Sequence, residues 1–213
     1  MKKNRLSIIL SIIGLLIFVY PFISKYINHK NLSNVVIEYK KQIENEDKEE
    51  IDEQKKEYEK YNEQLLNNST SNVNLLKPGK LLGYIEINKI NVKLPIYEGT
   101  EDKTLLKGIG HLEKSMLPSR KYFYHSIFVG HTGITHMKIF DDLPKLKIGD
   151  EFSVTILNET FGYKIYKIKK VLPNETKDLK VQDGKRLVTL VTCAPKYINS
   201  HRLLVMGVLR DKS

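Results

Sequence analysis

The sequence predicts a mainly β fold: a closed or nearly closed barrel of seven or eight short strands with short helices, preceded by a helical hairpin and a transmembrane anchor. Three observations point there. Residues 6–23 carry no charged side chain, and residues 33–66 are densely charged with no Gly or Pro. After about residue 80, short apolar runs are separated by turn signals, not by helix-length segments, which argues for a barrel over an alternating βαβ sheet.

The uncharged run over residues 6–23 is about the minimum for a hydrocarbon core roughly 30 Å thick. Lys2, Lys3 and Arg5 precede it, and Tyr20 and Pro21 sit near its outer end, where an interfacial aromatic is expected. A cleaved signal peptide calls for a shorter apolar core and a small-x-small cleavage site. Tyr20-Pro21-Phe22-Ile23-Ser24 offers none. The favoured reading is an uncleaved signal anchor over residues 1–24, single-pass in the cell membrane. The basic tip then stays cytoplasmic and the remainder lies on the extracellular face, although Lys25 and Lys30 weaken the charge asymmetry. The formal charge of +10 falls to +7 without Lys2, Lys3 and Arg5 (10 − 3, no acid removed). Such a basic exterior meets anionic headgroups and wall polymers first. No nucleic-acid recognition motif accompanies the charge.

Residues 25–80 read as a helical hairpin and linker. Asp47-Lys48-Glu49-Glu50 fits a capping box, so a second helix starts there after a break near 44–46. Ile51, Tyr58, Tyr61 and Leu65 then form one apolar stripe. Residues 67–79, rich in Asn and Ser and containing Pro78-Gly79, are a linker. Residues 81–213 form the barrel. Strands are expected at 82–87, 92–97, 126–129, 152–157 and 161–171, with one ending at Cys193 and one starting near Arg202. Short helical pieces are expected at 103–107 and 137–143.

The chain has one cysteine. An unpaired thiol on an exported domain is either a small buried hydrophobe or a reactive group. Cys193 ends the apolar run Thr189-Leu190-Val191-Thr192-Cys193, and Arg202 opens the next one. The 194–201 loop lets the two strands pair antiparallel with Cys193 and Arg202 at one end. Of six histidines, His131 is the most informative, because it follows a strand and lies between Gly130 and Gly133. It is either a plain turn residue or a rim residue with close backbone approach to a ligand. A thiolate is a nucleophile, an imidazolium can protonate a leaving amine, and a guanidinium can hold a carbonyl or oxyanion. No metal-ligand spacing is present. Asp141, Asp142, Asp150 and Glu151 could ligate calcium, but read as solvated loop charges.

At these residues the chain resembles the sortases, membrane-anchored cysteine transpeptidases of Gram-positive bacteria. The five residues ending at Cys193 match the TLxTC signature. Leu94-Pro95-Ile96-Tyr97-Glu98-Gly99-Thr100, Gly108-Ile109-Gly110-His111-Leu112-Glu113, Gly130-His131 and Asn199-Ser200-His201-Arg202-Leu203 extend the likeness, which is greatest to class C, the pilin-type subfamily. The resemblance implies an eight-stranded barrel, cleavage of an LPxTG-like sorting signal between Thr and Gly, and no cofactor. His131, Cys193 and Arg202 would be catalytic. Thr192 and Ala194 would help bind substrate, while His111 is structural and His136 and His201 take no catalytic part. Expected partners are secreted surface proteins or pilins bearing the signal, with a pilin lysine or a cell-wall cross-bridge as acceptor.

The chain departs from the pilin-type pattern in three places. Thr132 follows His131 where an Arg is usual. No Asp-Pro-aromatic lid anchor occurs, and no second membrane helix follows the last strand. The competing function is a non-catalytic, membrane-tethered wall- or partner-binding protein, which expects a buried, unreactive Cys193. Papain-like and L,D-transpeptidase-like enzymes need residue orders that are absent here.

Overall fold

The computed structural model describes residues 2–67 and 76–210, with the first helix's side chains from Ser7 onward. The strands are β1 (Leu81–Ile87), β2 (Val92–Glu98), β3 (Ile109–His111), β4 (Tyr124–Val129), β5 (Glu151–Ile156), β6 (Glu159–Val171), β7 (Arg186–Ala194) and β8 (His201–Leu209). They close into a barrel in the order β1-β2-β3-β4-β7-β8-β6-β5. Two pairings, β2 with β3 and β4 with β7, are parallel.

Inward residues such as Ile85, Leu94, Ile96, Val154, Leu190 and Val205 fill the interior and are fully buried. β7 and β8 are buried on both faces. Ile127, Val191, Leu204 and Met206 form a second cluster with Val171, against which Leu179 of the β6–β7 connection packs. Double-sided burial explains why these strands read as continuous apolar runs, while β6 alternates buried Tyr163 and Ile165 with exposed Lys164. The β1–β2 hairpin turns through a 3-10 segment (Asn88–Ile90) closed by Asn91 at φ +50°, a left-handed conformation that Asn tolerates.

Two long helices precede the barrel, α1 (Lys2–Asn45) and α2 (Lys48–Leu66). The break between them falls where the sequence places it. α1 runs unbroken through Pro21 and is long and apolar enough near its start to cross a membrane. Its Leu32, Val36, Tyr39 and Ile43, at spacings of four, three and four, are buried on the barrel. The sequence hides this stripe because it follows soon after the apolar run over residues 6–23. α2 buries Ile51, Tyr58 and Tyr61 as expected and adds Asn62. The Asn62 amide clamps Leu117 from both sides, donating to its carbonyl at 3.0 Å and accepting from its N–H at 2.8 Å.

Some local expectations need correction. Residues 137–142 form an irregular loop ending in a turn at 141–142, not a helix, and the 3-10 segment Leu143–Lys145 starts only at their end. Met137, Ile139 and Phe140 are nonetheless buried there, so the apolar spacing reflects loop packing. The helix expected at 103–107 is α3 (Asp102–Leu105). β3, three residues long, has no counterpart among the strands expected from sequence. The linker expectation at 67–79 falls largely on residues 68–75, outside the described residues.

One buried hydroxyl joins α1 to the barrel. Tyr39 Oη donates to the Leu82 carbonyl at 2.8 Å and accepts from the Leu157 N–H at 3.0 Å. Tyr39→Phe leaves both backbone groups without that partner, and the expected loss is about 2 kcal/mol, measured by urea unfolding of the full chain in detergent.

Candidate active site

The site is assembled by the two ladders of β7. On one side β8 runs antiparallel and sets Cys193 directly opposite Arg202, as the loop length implies. On the other side β4 runs parallel, with Val129 opposite Val191. The Gly130 N–H extends this ladder by donating to the Val191 carbonyl at 3.0 Å. Carrying the same register two residues further brings His131 level with Cys193. Cys193, His131 and Arg202 are all half-buried, so the thiol is not a sealed core residue.

Thr192 and Ala194, the neighbours of Cys193, are buried, as strand alternation requires. Thr192 Oγ1 donates to the Gly130 carbonyl at 2.7 Å. This hydroxyl therefore ties the strand carrying the thiol to the residue preceding His131. Gly130 permits a close approach: a Cβ there would lie 2.5 Å from the Phe140 ring. The Phe140 N–H in turn donates to the His131 carbonyl at 3.0 Å. The loop after His131 thus folds back over a buried aromatic and fixes the histidine backbone.

That loop is also fastened to the β7–β8 loop. Lys196 Nζ lies 2.6 Å from Asp141 Oδ1, which also accepts from the Gly133 N–H at 3.4 Å. Gly133, at φ +81°, lies against Tyr197 and Lys196, so close that a Cβ there would stand 3.1 Å from the Tyr197 ring. The Arg202 guanidinium donates through Nη1 to the carbonyls of Asn199 and His201, both at 3.1 Å. It retains donors for a further acceptor.

The other histidines have different surroundings. His111 is completely buried, with Nδ1 2.6 Å from Glu98 Oε2 and Nε2 2.9 Å from Ser115 Oγ. Ser115 Oγ also accepts the Ile127 N–H at 3.2 Å. This resembles a catalytic triad in connectivity, but all of it is enclosed, and it braces β3 against β4. His136 offers its carbonyl to Asn28, and the His201 ring meets Ser200. The four acidic residues that could ligate calcium meet lysine or arginine instead: Asp141 pairs with Lys196, Asp142 with Lys138 and Lys145, Asp150 with Lys89, and Glu151 with Arg210.

His125 on β4 is buried, with Nε2 2.6 Å from Thr189 Oγ1 and Nδ1 2.9 Å from the Lys180 carbonyl. Burial pushes its pKa below the usual 6.5, partly offset by the Lys180 carbonyl and Asp178. A depressed folded-state histidine keeps its stabilisation above the unfolded pKa and loses it on acidification. Stability should therefore fall as pH drops below about 6.5 toward the lowered value. His125→Gln should flatten that part of the urea-midpoint profile, and an unchanged slope would count against it.

Comparison with known proteins gives one consistent family. A family model described as the sortase domain matches residues 85–210. A Clostridium perfringens sortase C solved with the C-terminal cell wall sorting motif is 43% identical, with a TM-score of 0.78, over 84% of this chain and 99% of that one. Sortase C1 from Streptococcus agalactiae is 38% identical, with a TM-score of 0.75, over 84% of this chain and 100% of that one. Among curated relatives, sortase D of Bacillus subtilis is 33% identical over 55% of this chain, and the match spans 56% of that relative. Sortase A of Streptococcus agalactiae is 30% identical over 88% of this chain and 76% of the relative. The chain belongs to the sortase family of cysteine transpeptidases and is most like its class C members.

Proposed function

We propose that this sortase cleaves an LPxTG-like C-terminal sorting signal between Thr and Gly through Cys193, His131 and Arg202. The observation that carries the proposal is the register of β7, with Arg202 opposite the thiol on β8 and His131 two residues beyond the β4 ladder. Cys193 Sγ attacks the threonyl carbonyl as thiolate. The oxyanion that forms is stabilised by the Arg202 guanidinium. When the intermediate collapses, the C–N bond breaks and His131 gives its proton to the departing glycine amine. The threonyl group is left as a thioester on Cys193.

An amine then attacks the thioester. Its proton passes to His131, the new amide bond forms, and the C–S bond breaks to regenerate the thiolate. Likeness to class C sortases favours a pilin lysine as acceptor, with a cell-wall cross-bridge as the other candidate of the same chemistry. Thr192 acts here as a positioning residue, since its hydroxyl is already engaged by the Gly130 carbonyl. Ala194, buried as the last residue of β7, adjoins the thiol and would help bind substrate through the loop that it opens.

In the same reading residues 1–24 are the cytoplasmic tip and membrane anchor, 25–80 the helices and linker, and 81–213 the catalytic barrel. The barrel lies on the extracellular face of the cell membrane, where secreted substrates arrive.

Incubating the protein with a sorting-signal peptide and a small amine should yield cleavage and amide product. Cys193→Ala should abolish both, and retained turnover would sink the mechanism. Arg202→Lys keeps the charge but loses the fork of donors, so kcat should drop by about 10²–10³, read by chromatography of the released fragment.

A further inference from the structure

The first helix leaves the barrel at the active-site end. Asn28 Nδ2 donates to the His136 carbonyl at 2.9 Å, inside the loop that follows His131. His29 shares a small cleft with Ile90, Asn91 and Lys138. Asn28 lies only five residues beyond Ile23, the last residue of the uncharged run. At 1.5 Å per residue that is about 8 Å of helix. The loop carrying His131 therefore lies within a helical turn or two of the point where the span ends.

The same end carries apolar side chains that remain mostly exposed. Tyr197 and Ile198, at the tip of the β7–β8 loop, are each 71% exposed. Ile148 is 68% exposed, in the turn whose Asp150 pairs with Lys89 beside the β1–β2 hairpin. Lysines surround these tips. Asp142 is held by two of them, Lys138 and Lys145, while Asp141 and Asp150 take Lys196 and Lys89, so this rim carries more lysine than acid. Exposed aromatic and aliphatic tips ringed by lysine fit a bilayer interface with anionic headgroups.

We propose that the active-site end of the barrel docks on the outer surface of the membrane that holds α1, with Ile148, Tyr197 and Ile198 dipping into the headgroup region. The proposal rests on the anchor reading of residues 6–23. It commits to lipid because α1 delivers this end, and no other, to the bilayer. Docked in this way, the thiol opens toward the bilayer surface, so a substrate still held in the same membrane reaches it without leaving the lipid surface.

The sequence contains no Trp, so one introduced Trp is the sole indole emitter. The test uses the full chain reconstituted in phosphatidylcholine–phosphatidylglycerol vesicles, with and without lipid bearing a nitroxide just below the headgroup. Ile198→Trp and Ile148→Trp report on the rim. Phe123→Trp reports on the far end of β4, where Phe123 is 50% exposed. The rim variants should emit at shorter wavelength in vesicles than in detergent-free buffer with excess amphipol, and lose most of their emission to the nitroxide lipid. Phe123→Trp should do neither. If the chain floats with the vesicles but all three positions are quenched equally or not at all, the docking is wrong and the anchor stands. If the chain fails to float with the vesicles, both the anchor reading and the docking fall. Peptide cleavage by the Ile148→Trp variant, read in parallel, keeps either outcome separate from the catalytic assignment.

Discussion

The site depends on one strand being paired differently on its two sides. β7 is antiparallel to β8 and parallel to β4, so its C-terminal end meets the start of β8 and the end of β4 together. His131, 62 positions before Cys193 in the sequence, is brought there beside Cys193 and Arg202, which a short loop joins. The side-chain period of a strand is two, so a one-residue slip in either ladder turns Cys193 inward or carries Arg202 to the other face. Double-sided burial of β7 and β8 guards the register, because a slip would exchange the barrel core with the outer cluster built on Val191, Leu204 and Met206.

Around this strand, the remaining contacts act mainly on the histidine. The Thr192 hydroxyl, the Phe140 ring under Gly130 and the Asp141–Lys196 pair all bear on the residues around His131. The buried Glu98–His111–Ser115 chain holds β3 against β4 and so steadies the strand that delivers His131. In the proposed mechanism such preorganisation matters, because proton transfer to a leaving amine needs the imidazole within hydrogen-bond reach and correctly oriented.

Much of this is legible in the sequence for identifiable reasons. The strand pair around Cys193 and Arg202 can be read because its apolar runs are long and the connecting loop is short. Ile51, Tyr58 and Tyr61 give away α2 by their spacing against a charged background. Other features are hidden because their cause is tertiary. β3 exists only through partners in β2 and β4, which three residues cannot signal. The apolar run at Met137, Ile139 and Phe140 mimics a helix, yet it comes from a loop packed on the barrel core, with Phe140 beneath Gly130. The Leu32–Val36–Tyr39–Ile43 stripe merges with the preceding uncharged run, and the role of the Thr192 hydroxyl depends on a carbonyl 62 residues away in sequence.

The central claim is that the β7 register makes Cys193 the acyl carrier. Mixing the protein with a sorting-signal peptide in the absence of any acceptor amine, quenching in acid and mapping the adduct by mass spectrometry tests it most directly. The expected result is a threonyl-terminated acyl group in thioester linkage on the peptide containing Cys193, discharged by hydroxylamine. Peptide cleavage with no adduct on Cys193, or an adduct on any other residue, would contradict it.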